Sequence, residues 1–571
     1  MEENHRMKRY KFSTNKDIKK LVRSVFQGVA LLLIVYITIM ALFTFEQYTP
    51  YGLEVPMNGD KGFIAISYFG VDRTGDETLI STKRLEEHLK ALKNSGYVTI
   101  TQQDIIDYYQ KGKVLPEKSL FLIFEDGRRD TAIFSQKIME NYNYIGTMLT
   151  YADKFEKKDM KFLMPEELLE LEKNTFWELG TNGYRLEYIN VFDRNEVYLG
   201  ELDSLEFAKV SGELERQYNH YLMDYIRDEY SIPKENYEKM KARISYDYEQ
   251  VKKIYTEEIG KVPNMYILMH SNTGQYGTND RASDVNKAWI HELFKMHFNR
   301  EGYSLNNRES VVYDLTRIQP QAYWSVNHLL MRLWDDTKQE VAFVTGDKEK
   351  AKMWDKIEGQ AEFIKDQITL TSMPKGRGLL RLKESETFKD FKLSVQLDGN
   401  KLGSQGIYVR ADETLENYIL IQLKDNGLNI YEKAQGEEKL TFSVDLQEQD
   451  GKTSKSVMEI KDSGSRLLTF SINGDELDVF IDGKQILTRF KTLEPVEGYV
   501  YLESAWSGEG YSQRNLADDV YDGVFRSLVV AMEEEEETRI LFDTRLHGWD
   551  KLIHTTNEIG ERIINWFIKT L

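Results

Sequence analysis

From Val25 to Phe45 the chain reads VFQGVALLLIVYITIMALFTF, a run without charge in which Gln27 and two threonines are the polar interruptions. A helix needs roughly 20 such residues to cross the hydrocarbon core of a bilayer, and it bonds every backbone group internally. The flanks set the direction. Arg6, Lys8, Arg9, Lys11, Lys16, Lys19, Lys20 and Arg23 precede the run against Glu2, Glu3 and Asp17, and no basic cluster follows it. The positive-inside bias then puts the N-terminus in the cytoplasm and the bulk outside, held by one span. A cleaved signal peptide is the competing reading. The run is longer than a usual signal core and lacks a small-x-small cleavage site, which favours an uncleaved anchor. The expected order begins with a basic leader at 1–24 and a membrane helix at 25–45.

The rest of the 571 residues exceed what one core can hold, so two or three further domains are expected. The net charge of −19 lies outside the basic leader, so the ectodomain is acidic and repels a phosphate backbone. Nucleic acid is thereby excluded as a partner. With no cysteine, disulfides and thiolate metal sites are excluded too. An ectodomain of this size without disulfides fits a bacterial cell envelope, and the expected location is the bacterial cell membrane.

Beyond the span the periodicity falls into two regimes. From Gly62 to Asp335 short apolar runs alternate with helical patterns. GFIAISYFG (62–70), SLFLIFEDG (119–127) and IGTMLTY (145–151) read as strands. STKRLEEHLKALKNSG (81–96) reads as a helix with Leu85, Leu89 and Leu92 on one face, a Ser81 cap and a closing Gly96. TAIFSQKIMENYNY and PEELLELEKN read as helices as well. Such alternation implies an α/β fold with a parallel sheet or barrel over 60–335, whose site lies at the carboxyl ends of the strands. Glu125 and Asp126 fall there. The charged, tyrosine-rich stretch 201–258 reads as a helical pair forming a solvated lid. From 353 to 532 many short strands with DNG, NGD and DGK turns predict an all-β sandwich. A hydrophilic linker is expected at 336–352 and an amphipathic helix at 540–571, where Trp549, Leu552, Ile553, Ile559, Ile563, Trp566 and Phe567 share a side. The acidic run 533–537 reads as a solvated boundary.

In order and spacing, IAISYFG, the helix after it, DIIDYYQKGKVLPEKSLFLIFEDGRRDTAIFSQKIMENYNYIGTMLT and ELGTNGYRLEY resemble the bacterial polysaccharide deacetylases, the chitooligosaccharide-deacetylase homology group. DLTRIQPQAYWSVNHLLMRL is similar to the way many of these domains end. The resemblance implies a deacetylase-type (β/α) barrel. It also implies a general base and a divalent metal that activates water at the acetamide carbonyl.

Carried over by position, the base falls on Glu125 and the first metal ligand on Asp126. The two histidine positions fall on Asn182 and Glu187. An oxygen-only set suits Ca²⁺, Mg²⁺ or Mn²⁺ better than Zn²⁺, so either no cofactor or a weakly bound divalent cation is expected. His220 and His270 are the histidines that could restore a ligand, although a buried structural role is the commoner one for either. The sandwich resembles the concanavalin/laminin-G jelly rolls in GIYVRADETLENYILIQL, LTFSINGDELDVFIDGKQI and DDVYDGVFRSLVV. Arg410, Trp506 and Tyr511 are its candidate sugar contacts, set against ordinary packing. Three functions stay open. The protein is a catalytically degenerate component that binds or scaffolds a bacterial surface polysaccharide, beside a membrane polysaccharide synthase in one arrangement; or an active deacetylase with unusual ligands; or a structural surface protein without a glycan ligand.

Overall fold

Three strands in which every residue is buried frame the larger part of the molecule: β1 Phe63–Tyr68, β2 Ser119–Phe124 and β3 Gly146–Tyr151. In this computed structural model, residues 15–42, 46–511 and 518–548 are described, apart from 53, 58–60, 77, 194, 212–213, 215–217, 270–274, 400–401, 447–464, 495 and 534–537 and with a few isolated positions beyond 548. Four more parallel strands follow, β4 Trp177–Gly183, β5 Met265–Tyr266, β6 Met296–Glu301 and β7 Leu315–Arg317, hydrogen-bonded in chain order. Ile318 then returns to β1. Ser67 donates its N–H to the Ile318 carbonyl at 2.9 Å and Ile318 donates to Ala65 at 3.0 Å, so the sheet curls into a nearly closed barrel. Continuous apolar strands covered on both faces are what a parallel sheet requires.

Local signals place the helices around it. In Thr82–Asn94, Ser81 accepts the Arg84 N–H, Leu85, Leu89 and Leu92 are buried, and Gly96 past the end adopts φ +86°. Gln102–Lys111 opens with a capping box in which Thr101 and Asp104 serve each other's backbone. The stretch 201–258 is no helical pair. Tyr198–Asp203 and Asn219–His220 flank Glu187–Phe192 in a small antiparallel sheet, with one short helix, Ser204–Val210. Tyr237–Glu258 is a barrel helix and not a solvated lid: Met240, Ile244, Tyr248, Val251 and Tyr255 are buried at helical spacing, and the Tyr255 hydroxyl donates to the Thr150 carbonyl at 3.0 Å.

From Trp354 to Asp543 the chain forms two packed antiparallel sheets of seven and eight strands. Alternate residues of both, among them Leu393, Val395, Phe470, Ile407, Ile421 and Phe525, fill one core. Asp425 and Asn426 both carry positive φ between paired Lys424 and Gly427, the two-residue hairpin that the DNG tripeptide signalled. The last strand, Thr538–Asp543, occupies the start of the stretch expected as a C-terminal helix, because it completes the sheet beside Asp522–Glu533. Most of 549–571 and the acidic residues 534–537 lie outside the described residues.

The stretch 336–352 is packed. Val341 is buried, Asn327 exchanges two hydrogen bonds of 2.8 Å with Val344, and the Ala342 N–H meets Ser95 at 3.0 Å. Barrel and sandwich share one compact unit, Thr49–Leu571, and Met1–Tyr48 forms another. Within the latter, helix Asn15–Leu42 exposes its described apolar side chains, Val25, Phe26, Val29 and Leu31–Val35 among them. No helix among the described residues is long and apolar enough to cross a membrane. The side chains of 37–45, within the expected span, lie outside the description.

Candidate functional site

The acidic residues sit at the carboxyl end of β2 because the chain turns sharply there. Glu125 extends the parallel ladder, donating its N–H to the Tyr68 carbonyl at 2.9 Å. Asp126 and Gly127 then adopt φ +64° and +62°. A Cβ at Gly127 would lie 2.4 Å from Thr150 Cγ2, so the turn is open to glycine alone.

Glu125 is fully buried and does not stand alone. Its Oε1 accepts from the Ser67 hydroxyl and, at 2.9 Å, from Nε of the equally buried Arg317. Arg317 Nη2 donates to Glu301 at 3.0 Å, and its Nη1 reaches the Phe298 and Arg300 carbonyls at 3.4 Å. Burial opposes the guanidinium charge, but Glu125 and Glu301 outweigh it and hold Arg317 above its usual range. Glu125 Oε2 has no hydrogen-bond partner among the described residues.

Asp126 is also buried, and its carboxyl rises to about 7, first through burial and then through the Glu125 charge, with Arg128 and Lys154 opposing. Its backbone N–H makes a long 3.5 Å contact to Asn182 Oδ1. Asp126 Oδ1, Asn182 Nδ2 and the Tyr151 hydroxyl are buried without partners among the described residues, and Tyr151 feels the charges of both acids. Buried polar atoms are rarely left unpaired, and several of these gather at one strand end.

Glu125, Asp126 and Asn182 thus come together as the positions imply. Glu187 has a partner of its own: it accepts from Arg185 at 3.1 Å, and Arg185 also binds Asp247 at 3.2 Å. A guanidinium on the third ligand position repels a dication, and Asn182 brings a single neutral oxygen. These residues do not fit the tripod that a catalytic divalent metal needs. Among the described residues no group of three or more His, Asp or Glu is placed to hold one.

The other candidates scatter. His270 lies outside the described residues. His220 is core: burial pulls it down to about 4, and its Nδ1 accepts the Leu222 N–H. Arg410, expected at a sugar, is buried and braces the Lys389 carbonyl and Asp390, because its backbone at φ +51° turns it inward. Trp506 is half-buried and closes its own loop onto the Glu509 carbonyl at 2.7 Å. Tyr511 does not face outward, since its hydroxyl is buried and its ring lies on Gly302 of the barrel. Sequence reasoning missed Ser67, Tyr151, Glu301 and Arg317. The signal for Arg317 was a lone charge inside the apolar LTRI, at the last strand end.

No family model matches the chain. It is 30% identical over 126 residues to the poly-beta-1,6-N-acetyl-D-glucosamine N-deacetylase of Escherichia coli K12, a match covering 21% of this chain and 18% of that protein. The chain therefore spans under a fifth of the length of the curated relative. Among solved structures, a de-N-acetylase from Aggregatibacter actinomycetemcomitans is 18% identical at TM-score 0.36, covering 47% of this chain and 98% of that one. The carbohydrate-binding module CBM66 from Bacillus subtilis is 14% identical at TM-score 0.23, covering 31% and 94%. Overlays this loose say nothing about a site. The sequence match is thus to a polysaccharide deacetylase over 126 residues, and the barrel has the first strand, helix, acidic strand end and following helix in the order read from the sequence.

Proposed function

We propose that this protein binds or scaffolds a bacterial surface polysaccharide through a deacetylase-like pocket that no longer hydrolyses amides. It is held in the cell membrane by residues 25–45, with its N-terminus cytoplasmic and its bulk outside, where a polysaccharide synthase could feed it. The observation that carries the reading is the pair of substituted histidine positions. Asn182 replaces one, and Glu187, at the other, is bound to Arg185 at 3.1 Å. The pocket keeps its buried Glu125–Arg317 pair and its unpaired polar atoms, which suit sugar hydroxyls or an amino group.

The relative in E. coli is named for poly-β-1,6-N-acetylglucosamine, so oligomers of that polymer are tested first. The expected result is binding by calorimetry, no acetate release, and less than one tightly held metal per chain. Steady acetate release with a stoichiometric metal that Asp126→Ala removes makes the protein a working deacetylase and sinks the degenerate reading. The anchor is tested with protease on intact protoplasts, which should digest the mass beyond residue 50. Protection of that mass overturns the orientation.

A further inference from the structure

We propose that the sandwich completes the strand-end site of the barrel, with Tyr511 as a positioning residue. It holds the Glu301–Gly302 turn, and through that turn Arg317 and Glu125. Tyr511 follows the sandwich strand Tyr499–Ala505, yet its ring packs against a glycine of the barrel. A Cβ at Gly302 would sit 2.7 Å from Tyr511 Cδ1 and 3.3 Å from two more ring atoms, and Gly302 itself adopts φ +88°. Glycine is required there both for the turn and for the ring's approach.

Gly302 is one peptide from the site. Its N–H donates to the Arg317 carbonyl at 3.0 Å, and the preceding Glu301 takes Arg317 Nη2 at 3.0 Å. Arg317 then holds Glu125 at 2.9 Å. The same turn is gripped a second time by Arg332 of the barrel's own helix Val326–Thr337, which the sandwich residue Asp518 in turn binds. Arg332 Nη2 donates to the Gly302 carbonyl at 2.7 Å, Nη1 of the same guanidinium is bound by Asp518, and its carbon lies 5.7 Å from the Tyr511 ring centre. Glu301, Asp518, Arg317 and Arg332 are the charges around the Tyr511 hydroxyl, which has no hydrogen-bond partner among the described residues. The ring, and not the hydroxyl, carries the contact.

Backbone exchange in the full chain tests this without any ligand. Tyr511→Ala is expected to speed hydrogen exchange about tenfold or more in peptides covering 119–127 and 315–320, while sandwich strand 391–398 stays as in wild type. Tyr511→Phe should behave as wild type. Exchange that changes only around 302 and 506–511, or a Phe variant as damaging as Ala, overturns the proposal. Should Tyr511→Ala loosen the whole chain, Tyr511→Leu, which fills the space without a flat face, is read by the same criteria. The sugar arm rests on the proposed function: an oligosaccharide that binds wild type should bind Tyr511→Ala about tenfold more weakly and Tyr511→Phe unchanged. If no sugar binds wild type, that functional reading fails, and the exchange result still decides this one.

Discussion

Two groups of buried carboxylates lie within this chain and differ in how completely they are satisfied. At the seam between barrel and sandwich, all four oxygens of Asp518 and Asp522 accept hydrogen bonds. Asp518 takes Arg332 and His328 Nε2 (3.1 Å), and Asp522 takes His328 Nδ1 (3.2 Å), the Ser325 N–H (2.9 Å) and the Thr371 hydroxyl (2.7 Å). At the strand end, Glu125 Oε2 and Asp126 Oδ1 are buried with no partner among the described residues. Both sets bear the desolvation cost of buried charge, but the seam returns it inside the protein and the strand end leaves part of it open. The carboxylates of the seam thus hold elements together, while those of the strand end keep hydrogen-bonding capacity to spare.

If that contrast holds, the largest loss belongs to the seam. Asp518→Ala leaves buried Arg332 with the more distant Asp519, at 4.0 Å, and takes one of the two carboxylates from His328, and breaking such a buried pair typically costs about 3–5 kcal/mol. Urea unfolding of the compact unit Thr49–Leu571 measures it. A loss under about 1 kcal/mol would show that the seam holds nothing together.

Next comes a pH effect on the same joint. Burial pushes against a charged His328, but Asp522 and Asp518 outweigh it and raise the imidazole from 6.5 to about 9. A folded-state value above the unfolded one gives stability that is complete below about pH 6.5 and lost as pH climbs through about 9. Wild type should therefore lose on the order of 3 kcal/mol across that window relative to His328→Gln, at about 1.36 kcal/mol per unit. Parallel pH curves for the two proteins would remove the charged histidine from the argument.

Neither the seam nor the Arg317 pair was legible in the sequence, for one physical reason. Elements with their own periodicity declare themselves. Leu85, Leu89 and Leu92, the run SLFLIF and the DNG hairpin needed no distant partner, and the structure places each as read. Arg317 stands 192 residues from Glu125, and His328 190 from Asp518, so each pair exists only once the fold has closed. The helix Tyr237–Glu258 failed differently. Met240, Ile244, Tyr248, Val251 and Tyr255 carry a buried stripe, hidden among enough Glu and Lys to look solvated. At the site, position by position comparison located Asp126 and Asn182, but the loss of Glu187 to Arg185 is a side-chain contact that no spacing encodes.

A smaller effect is expected at the strand end. Glu125→Gln keeps the shape and the Ser67 contact but removes the charge-assisted acceptor, a contribution of roughly 1.5–3 kcal/mol. Oligosaccharide binding by calorimetry should weaken about tenfold or more at the usual 1.4 kcal/mol per decade. Unchanged binding would place the sugar elsewhere.

The smallest effect separates the two regions most cleanly. Tyr151 is buried with a hydroxyl that meets no partner among the described residues, in the field of Glu125 and Asp126. Losing a hydroxyl that is hydrogen-bonded inside the protein would cost about 1 kcal/mol. Here Tyr151→Phe removes an unsatisfied group, so stability should hold or rise slightly, by less than about 1 kcal/mol. Binding should move the other way. A hydroxyl that gains its partner only from the ligand contributes about 0.5–1.5 kcal/mol, so the Phe variant should bind an oligosaccharide roughly two- to tenfold more weakly. Urea unfolding and calorimetry on one protein give both numbers. If stability falls and binding does not change, the hydroxyl has an internal role, and the strand end is a second joint and not a site.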